Sequence, residues 1–175
     1  MRTESLDSYL EKARVSETVD ARDAELAWIN QQIQEIGAER LNNLVEEAVR
    51  IRENAYAPYS NYQVGAAMLS VSGNSYAACN NESVAYSETK HAESNAISLA
   101  IKSGEFVKSG RRFLKALVVS HSENSFPCGS CRQSMVEHAD NALIIAVDGE
   151  GNLKGITSLK SLLPGPFTPT HLGIE

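Results

Sequence analysis

The chain has 175 residues, 42% of them hydrophobic and 22% charged, with a net charge of -6 and a pI near 5.3. That length and apolar content suit one substantial core, so a single compact unit is expected. The acidic balance argues against a nucleic-acid partner, whose phosphates call for clustered Lys and Arg, and no apolar run is long enough to span a membrane.

In chain order, residues 1–19 are polar. Arg2, Glu4 and Asp7 stand where a secretory signal needs an apolar stretch, so secretion is not expected, and three cysteines without a disulfide framework lead to the expectation of a reducing cytoplasm. From Asp20 to Ile36, Leu26, Ile29, Ile33 and Ile36 recur every three or four positions and Gly37 follows as a stop, which predicts an amphipathic helix. A second helix carries Leu41, Leu44, Val45, Ala48 and Val49 and must end before Pro58. Residues 63–71 and 75–79, split by Ser72-Gly73-Asn74, predict a β-hairpin. A mostly buried helix is predicted from His91 to Lys102, and a helix over Ser130 to Ala139. The apolar runs Leu114 to Ser120 and Asn141 to Val147 suit buried strands. This alternation predicts an α/β sandwich on a mixed sheet. Lys108, Arg111, Arg112 and Lys115 form a local basic cluster that reads as a solvated loop before a strand.

Two motifs carry chemistry. His91-Ala92-Glu93 and Pro127-Cys128-Gly129-Ser130-Cys131 supply three zinc ligands, His91, Cys128 and Cys131, where a structural zinc site takes four; the fourth position is left for water. Both motifs fall at helix starts, where the dipole favours the thiolates that zinc requires. Two thiolates and a neutral imidazole cancel the charge of the ion. Glu93 points away from His91 on a helix, which suits a general acid and base better than a fourth ligand. A zinc ribbon would need a second cysteine pair, and the remaining cysteine, Cys79, reads as a core residue. A redox role for Cys-x-x-Cys is the other reading, and it leaves the His91 and Glu93 spacing as coincidence. His121, His138 and His171 have no motif partners and read as structural or solvated.

With these motifs the chain resembles the cytidine deaminases that act on free nucleosides, over roughly residues 41–173. Tyr56-Ala57-Pro58-Tyr59-Ser60-Asn61-Tyr62-Gln63-Val64-Gly65-Ala66-Ala67 is similar to that family's segment before its first strand. Asn80-Asn81-Glu82 resembles its ribose-binding Asn-x-Glu, and Leu162-Leu163-Pro164 with Phe167 resembles its C-terminal signature. The resemblance implies residues 1–37 as an N-terminal helical extension and 38–175 as the catalytic domain that carries it. It implies a three-layer α/β/α sandwich with a mixed sheet of about five strands, and one Zn2+ per subunit held by His91, Cys128 and Cys131. It implies that Glu93 is catalytic and that Asn80 and Glu82 bond a ribose hydroxyl. Tyr62 stands where a Phe packs on the pyrimidine, and the backbone of Ala92 meets the base edge. Phe167 would reach a neighbouring subunit's pocket; ordinary packing is the other reading for Tyr62 and Phe167.

The implied reaction is hydrolytic deamination of cytidine or deoxycytidine to the uridine product plus ammonia, as in pyrimidine salvage. Members with His as first ligand are best known as dimers of long chains, for which this chain is too short, so a homotetramer of single domains is expected. Where the first ligand is Cys, an Arg usually follows the Glu; here Ser94 follows Glu93, in keeping with the neutral imidazole. Lys90 and the stretch Ser83 to Lys90 depart from the family pattern, and Lys90 is expected to extend into solvent or to meet an acid such as Glu88. That departure keeps open a deaminase of modified, blasticidin-type cytosine nucleosides. A catalytically silent zinc-binding module of the same fold is the reading from a different class.

Overall fold

The computed structural model describes residues 19–122 and 126–174. The polar N-terminal segment, with Arg2, Glu4 and Asp7, lies outside the described residues. Helices α1 (Val19–Ile36) and α2 (Ala38–Arg52) follow one another directly, broken at Gly37, whose φ of 82° is a conformation that glycine adopts without Cβ strain. Then come β1 (Gly65–Ser70), β2 (Ser75–Cys79), a short 3-10 turn (Tyr86–Glu88), α3 (Ala92–Lys102), α4 (Glu105–Ser109) and β3 (Leu114–Ser120). The chain continues through α5 (Gly129–Val136), β4 (Leu143–Val147), β5 (Leu153–Ser158) and α6 (Leu159–Leu162) to a closing 3-10 turn (Pro169–Leu172).

The five strands form one mixed sheet in the order β2-β1-β3-β4-β5, antiparallel except for the parallel β3–β4 pair. Successive side chains in a strand point to opposite faces, and both faces here are apolar. Ala67, Leu69, Ala116, Val118, Leu143, Ile145 and Val147 pack under α1 and α2, against Ile29, Ile33, Leu41 and Leu44. Met68, Leu117, Val119, Ile144 and Ala146 pack on the other face against Ala96, Ile97 and Ala100 of α3 and Cys131 and Met135 of α5. The result is a helix–sheet–helix sandwich. Each large side chain fully withdrawn from water contributes about 1.5–3 kcal/mol. At Gly65 a Cβ would lie 2.0 Å from the Ala48 carbonyl oxygen, so the close approach of α2 to β1 requires glycine.

Helix α1 belongs to this core. Ile29 and Ile33 are fully buried in it, and the Glu25 carboxylate accepts from the Ser158 hydroxyl at 2.9 Å and from the Ser158 amide at 3.4 Å. The basic cluster is in part paired: Arg112, before β3, meets Asp140 at 3.2 Å, and Lys115, which lies within β3 rather than in the loop before it, meets Glu35 at 3.5 Å.

Some boundaries move for local reasons. The first strand begins at Gly65 rather than at residue 63, because the Val64 amide donates to the Asn80 side chain at 2.8 Å instead of to a ladder partner. The predicted strand from Asn141 starts at Leu143, since Asn141 accepts from the Ala142 and Lys160 amides at 3.1 Å each and serves the start of α6. Strand β5 was not marked out by the sequence: Lys154-Gly155 interrupts its apolar pattern at the sheet edge.

One buried acid braces the β1–β2 hairpin. Glu105, with no exposed surface, accepts from Ser70 Oγ at 2.5 Å, Asn74 Nδ2 at 2.7 Å, Tyr76 Oη at 2.8 Å and Ser72 Oγ at 2.9 Å. Burial alone would raise its carboxyl; the bonds from Asn74, Ser70, Tyr76 and Ser72 outweigh that and hold it at about 2. A carboxyl depressed in the folded state stabilises fully above its unfolded value of about 4.3, and that stabilisation is lost as pH falls towards 2. Glu105→Gln turns one acceptor into a donor facing these hydroxyl and amide groups. It should lower the thermal midpoint at pH 7 by roughly 5–10 °C, as about 2–3 kcal/mol would. Circular dichroism melts at pH 7 and pH 3 check this, and the gap between variant and parent should narrow at the lower pH.

Candidate active site

The strand register assembles the site. Gly65 pairs with Cys79 on one side and Ser120 on the other, and Ser120 pairs with Val147, so these four residues form one row across the sheet. The residues just beyond that row, Val64, Asn80 and His121, therefore meet at one sheet edge. Two helices start there as well. His91 is the N-cap of α3 and Cys128 the N-cap of α5, and neither side chain caps its own helix.

Among the described residues, His91, Cys128 and Cys131 form a group whose ligand atoms all lie within 4.8 Å of one another. His91 Nδ1 is 3.4 Å from Cys128 Sγ and 3.3 Å from Cys131 Sγ. Nitrogen and sulfur ligands on a tetrahedral zinc stand roughly 3.6 Å apart, from bonds of about 2.05 and 2.3 Å. The donor set and its spacing fit zinc. Burial pushes the Cys131 thiol up, and the neighbouring Glu93 and Cys128 push it further, so a cation is what stabilises this sulfur as a thiolate. Glu93, on the first turn of α3, is 5% exposed and lies against Cys131 rather than among the ligands.

A cavity of about 230 Å³ opens beside this cluster. His91, Ala92, Glu93 and Cys128 line it together with Tyr62, Asn80 and Glu82. Asn80 splints the loop before β1: its Oδ1 accepts from the Val64 amide at 2.8 Å and its Nδ2 donates to the Tyr62 carbonyl at 2.9 Å. Glu82 accepts from the Tyr59 amide at 2.9 Å, the Ser60 amide at 3.2 Å and the Ser60 hydroxyl. The Ser60 hydroxyl bond is the main cause that holds its carboxyl below the usual range, against burial and with the backbone bonds of Tyr59 and Ser60. Backbone bridges from Asn81 to Tyr56 and to Lys90 keep this segment extended. Lys90 itself pairs with Glu88 at 3.6 Å, on the surface, as the sequence suggested.

Phe167 lies apart from the cavity, 60% exposed, stacked on His171 with ring centres 5.3 Å apart. His121, set aside in the sequence as a lone histidine, is a wall of the cavity; its Nδ1 is 3.0 Å from the Tyr62 hydroxyl. A histidine directly after a buried strand that ends in the site was the signal available. His138 stacks on Phe113 at 4.7 Å, away from the chemistry. Cys79 lies outside the ligand group; its carbonyl accepts from Asn95 at 2.9 Å.

The two ligand sulfurs differ in accessibility. Cys128 is exposed, whereas Cys131 is buried with its thiol pushed up. In metal-free protein at pH 8, iodoacetamide should modify Cys128 well before Cys131, and zinc should protect both. Mass spectrometry of timed samples reads the order, and equal rates would contradict it.

Comparison with known proteins agrees with this geometry. The family described as the cytidine and deoxycytidylate deaminase zinc-binding region matches residues 38–147. A cytidine deaminase of Sporosarcina psychrophila is 38% identical over 136 residues, which is 75% of this chain and 94% of that protein. The crystal structure of cytidine deaminase from Burkholderia pseudomallei superposes with a TM-score of 0.64 at 34% identity, covering 71% of this chain and 97% of that one. That of the Mycobacterium tuberculosis cytidine deaminase gives 0.59 at 35% identity, over 73% and 96%. With His91, Cys128 and Cys131 gathered as such a site requires, the chain belongs to the zinc-binding cytidine and deoxycytidylate deaminase family.

Proposed function

We propose that this protein hydrolyses the exocyclic amine of free cytidine or deoxycytidine, giving the uridine product and ammonia. The observation that carries the reading is a buried carboxylate, Glu93, lining a small cavity that His91 and Cys128 of the metal-ligating group also line. At about 230 Å³ the cavity has room for one small ligand of nucleoside size.

Bound zinc supplies acidified water, its pKa lowered to about 7. Every other step falls to the chain. Glu93 accepts the proton that water gives up as its oxygen adds to C4, and delivers it to N3 of the ring. The hydroxyl now on C4 gives its remaining proton to the same carboxylate, which passes it to the exocyclic nitrogen; the C4–N4 bond breaks with release of ammonia and C4 is left as the carbonyl of the uridine product. Ala92 opens α3, where backbone N–H groups have no partner within the helix, so its amide can hold the base edge. Glu82 has accepting capacity beyond its three bonds for a ribose hydroxyl, while Asn80 keeps one N–H and one lone pair for the same sugar. The Tyr62 ring forms the wall against which the pyrimidine packs.

The exposed Phe167 suits a role in a neighbouring subunit's pocket, within a tetramer of single-domain chains. No helix among the described residues is long and apolar enough to cross a membrane, and salvage of nucleosides in the cytoplasm is the setting this reading implies. A second substrate class has one observation behind it. Thr89, from the stretch that departs from the family pattern, lines the cavity, so modified cytosine nucleosides of the blasticidin type belong in the test.

Absorbance assays with zinc-loaded protein against cytidine, deoxycytidine and blasticidin-type nucleosides decide the matter. Turnover of the first two with higher kcat/KM is expected; stoichiometric zinc with no turnover on any of them would leave a silent zinc module. Glu93→Gln should retain zinc and lose about 10²–10⁴-fold in kcat. Phe167→Ala should raise KM while leaving zinc content unchanged, and light scattering should report four chains per particle.

A further inference from the structure

Each of the two ligand-bearing helix starts needs something to hold it against the sheet. For α3 that is Asn95: its amide donates to the His91 carbonyl at 3.0 Å and its side chain to the Cys79 carbonyl at 2.9 Å, which fastens the turn to β2. The start of α5 has a counterpart in Arg132, the residue after the second cysteine ligand. Its amide closes the first helical turn on the Cys128 carbonyl at 3.0 Å. Its guanidinium turns back: Nε donates to the Pro127 carbonyl at 2.6 Å, and a terminal N–H donates to the Leu162 carbonyl at 2.8 Å.

Those two acceptors matter for different reasons. The Pro127 carbonyl belongs to the peptide that leads into Cys128, so fixing its plane fixes the backbone of the one exposed sulfur ligand. The Leu162 carbonyl is at the end of α6, where helical carbonyls lack intrahelical partners. A planar guanidinium offers both donors in one rigid fork, and a charged donor makes the stronger bonds. Cys131 is held by burial, at 1% exposure, whereas Cys128 has no comparable packing.

We infer that Arg132 is a positioning residue for the metal, clamping the Pro127–Cys128 turn to the end of α6 so that Cys128 stays within ligating distance of Cys131 and His91. The inference rests on the reading of those three residues as the zinc ligands, and it extends that reading to the C-terminal Leu162-Leu163-Pro164 segment, which then serves the metal site from outside the cavity.

The test measures zinc affinity by competition with a chromogenic chelator, which needs no turnover and so stands apart from the substrate assignment. Arg132→Gln should bind zinc about 10–100-fold more weakly than the parent, as expected when a residue supporting a ligand is lost. Arg132→Lys, with a single charged head, should fall between them. Gln133→Ala removes the adjacent 2.7 Å bond to the Phe167 carbonyl and leaves the Arg132 bonds to Pro127 and Leu162 in place, and should leave zinc affinity unchanged. Cobalt-substituted R132Q should show weakened sulfur-to-metal charge-transfer bands if Cys128 has shifted. A merely structural Arg132 would lower the melting temperatures of metal-free and metal-loaded protein alike and leave affinity unchanged, which overturns the inference. So would a Gln133→Ala loss equal to that of R132Q. Should R132Q not fold, R132K with parental affinity and an unaltered cobalt spectrum overturns it equally.

Discussion

The site depends on two helix N-termini meeting at one point, and that depends on α3 and α5 packing against the same face of the sheet. Ala96, Ile97 and Ala100 of α3 and Cys131 and Met135 of α5 share one apolar cluster with Met68, Leu117 and Val119. Because strand side chains alternate in direction, the same strands present Ala67, Ala116 and Val118 to α1 and α2 on the opposite face. A one-residue slip in β3 would exchange these sets and separate His91 from Cys128. Close packing at this level is what allows three ligand atoms from two helices to gather within 4.8 Å.

Hydrogen bonding sorts the carboxylates into different duties. Glu105 and Asp148 are both held at about 2 against the effect of burial, the first by hydroxyl and amide donors from the β1–β2 hairpin, the second by Asn152, Lys154 and the turn backbone. Both brace hairpins. Glu82 is likewise held as a carboxylate, by Ser60 and Tyr59, but in the wall of the cavity. Glu93 differs in its neighbours: it is buried beside the sulfur of Cys131.

Helix α1 precedes the residues matched by the family, yet it shares the core of the part that is matched. Its buried isoleucines complete the cover of β4 and β5, and Glu25 ties it to Ser158 at the start of α6. Helix α6 in turn ends at Leu162, the carbonyl that Arg132 holds. The N-terminal helix and the metal-ligand turn are thus joined through a short run of polar bonds across α6.

Much was legible in the residues alone. Apolar periodicity marked out α1, α2, α3 and four of the five strands, since burial on one or two faces imposes a repeat that the sequence must display. The group of His91, Cys128 and Cys131 was legible because metal chemistry demands particular side chains at short spacing. Strand β5 escaped because an edge strand carrying Lys154 and Gly155 has little apolar pattern to display. Tertiary structure alone decided that His121 joins the cavity, that Asn80 first splints the loop of Tyr62 and Val64, that Phe167 is exposed outside the cavity lining, and that Arg132 reaches Leu162. Those facts depend on contacts between residues far apart in the chain, such as Tyr62 with His121, and no local spacing rule encodes which lone polar side chain a folded sheet edge will bring to meet another.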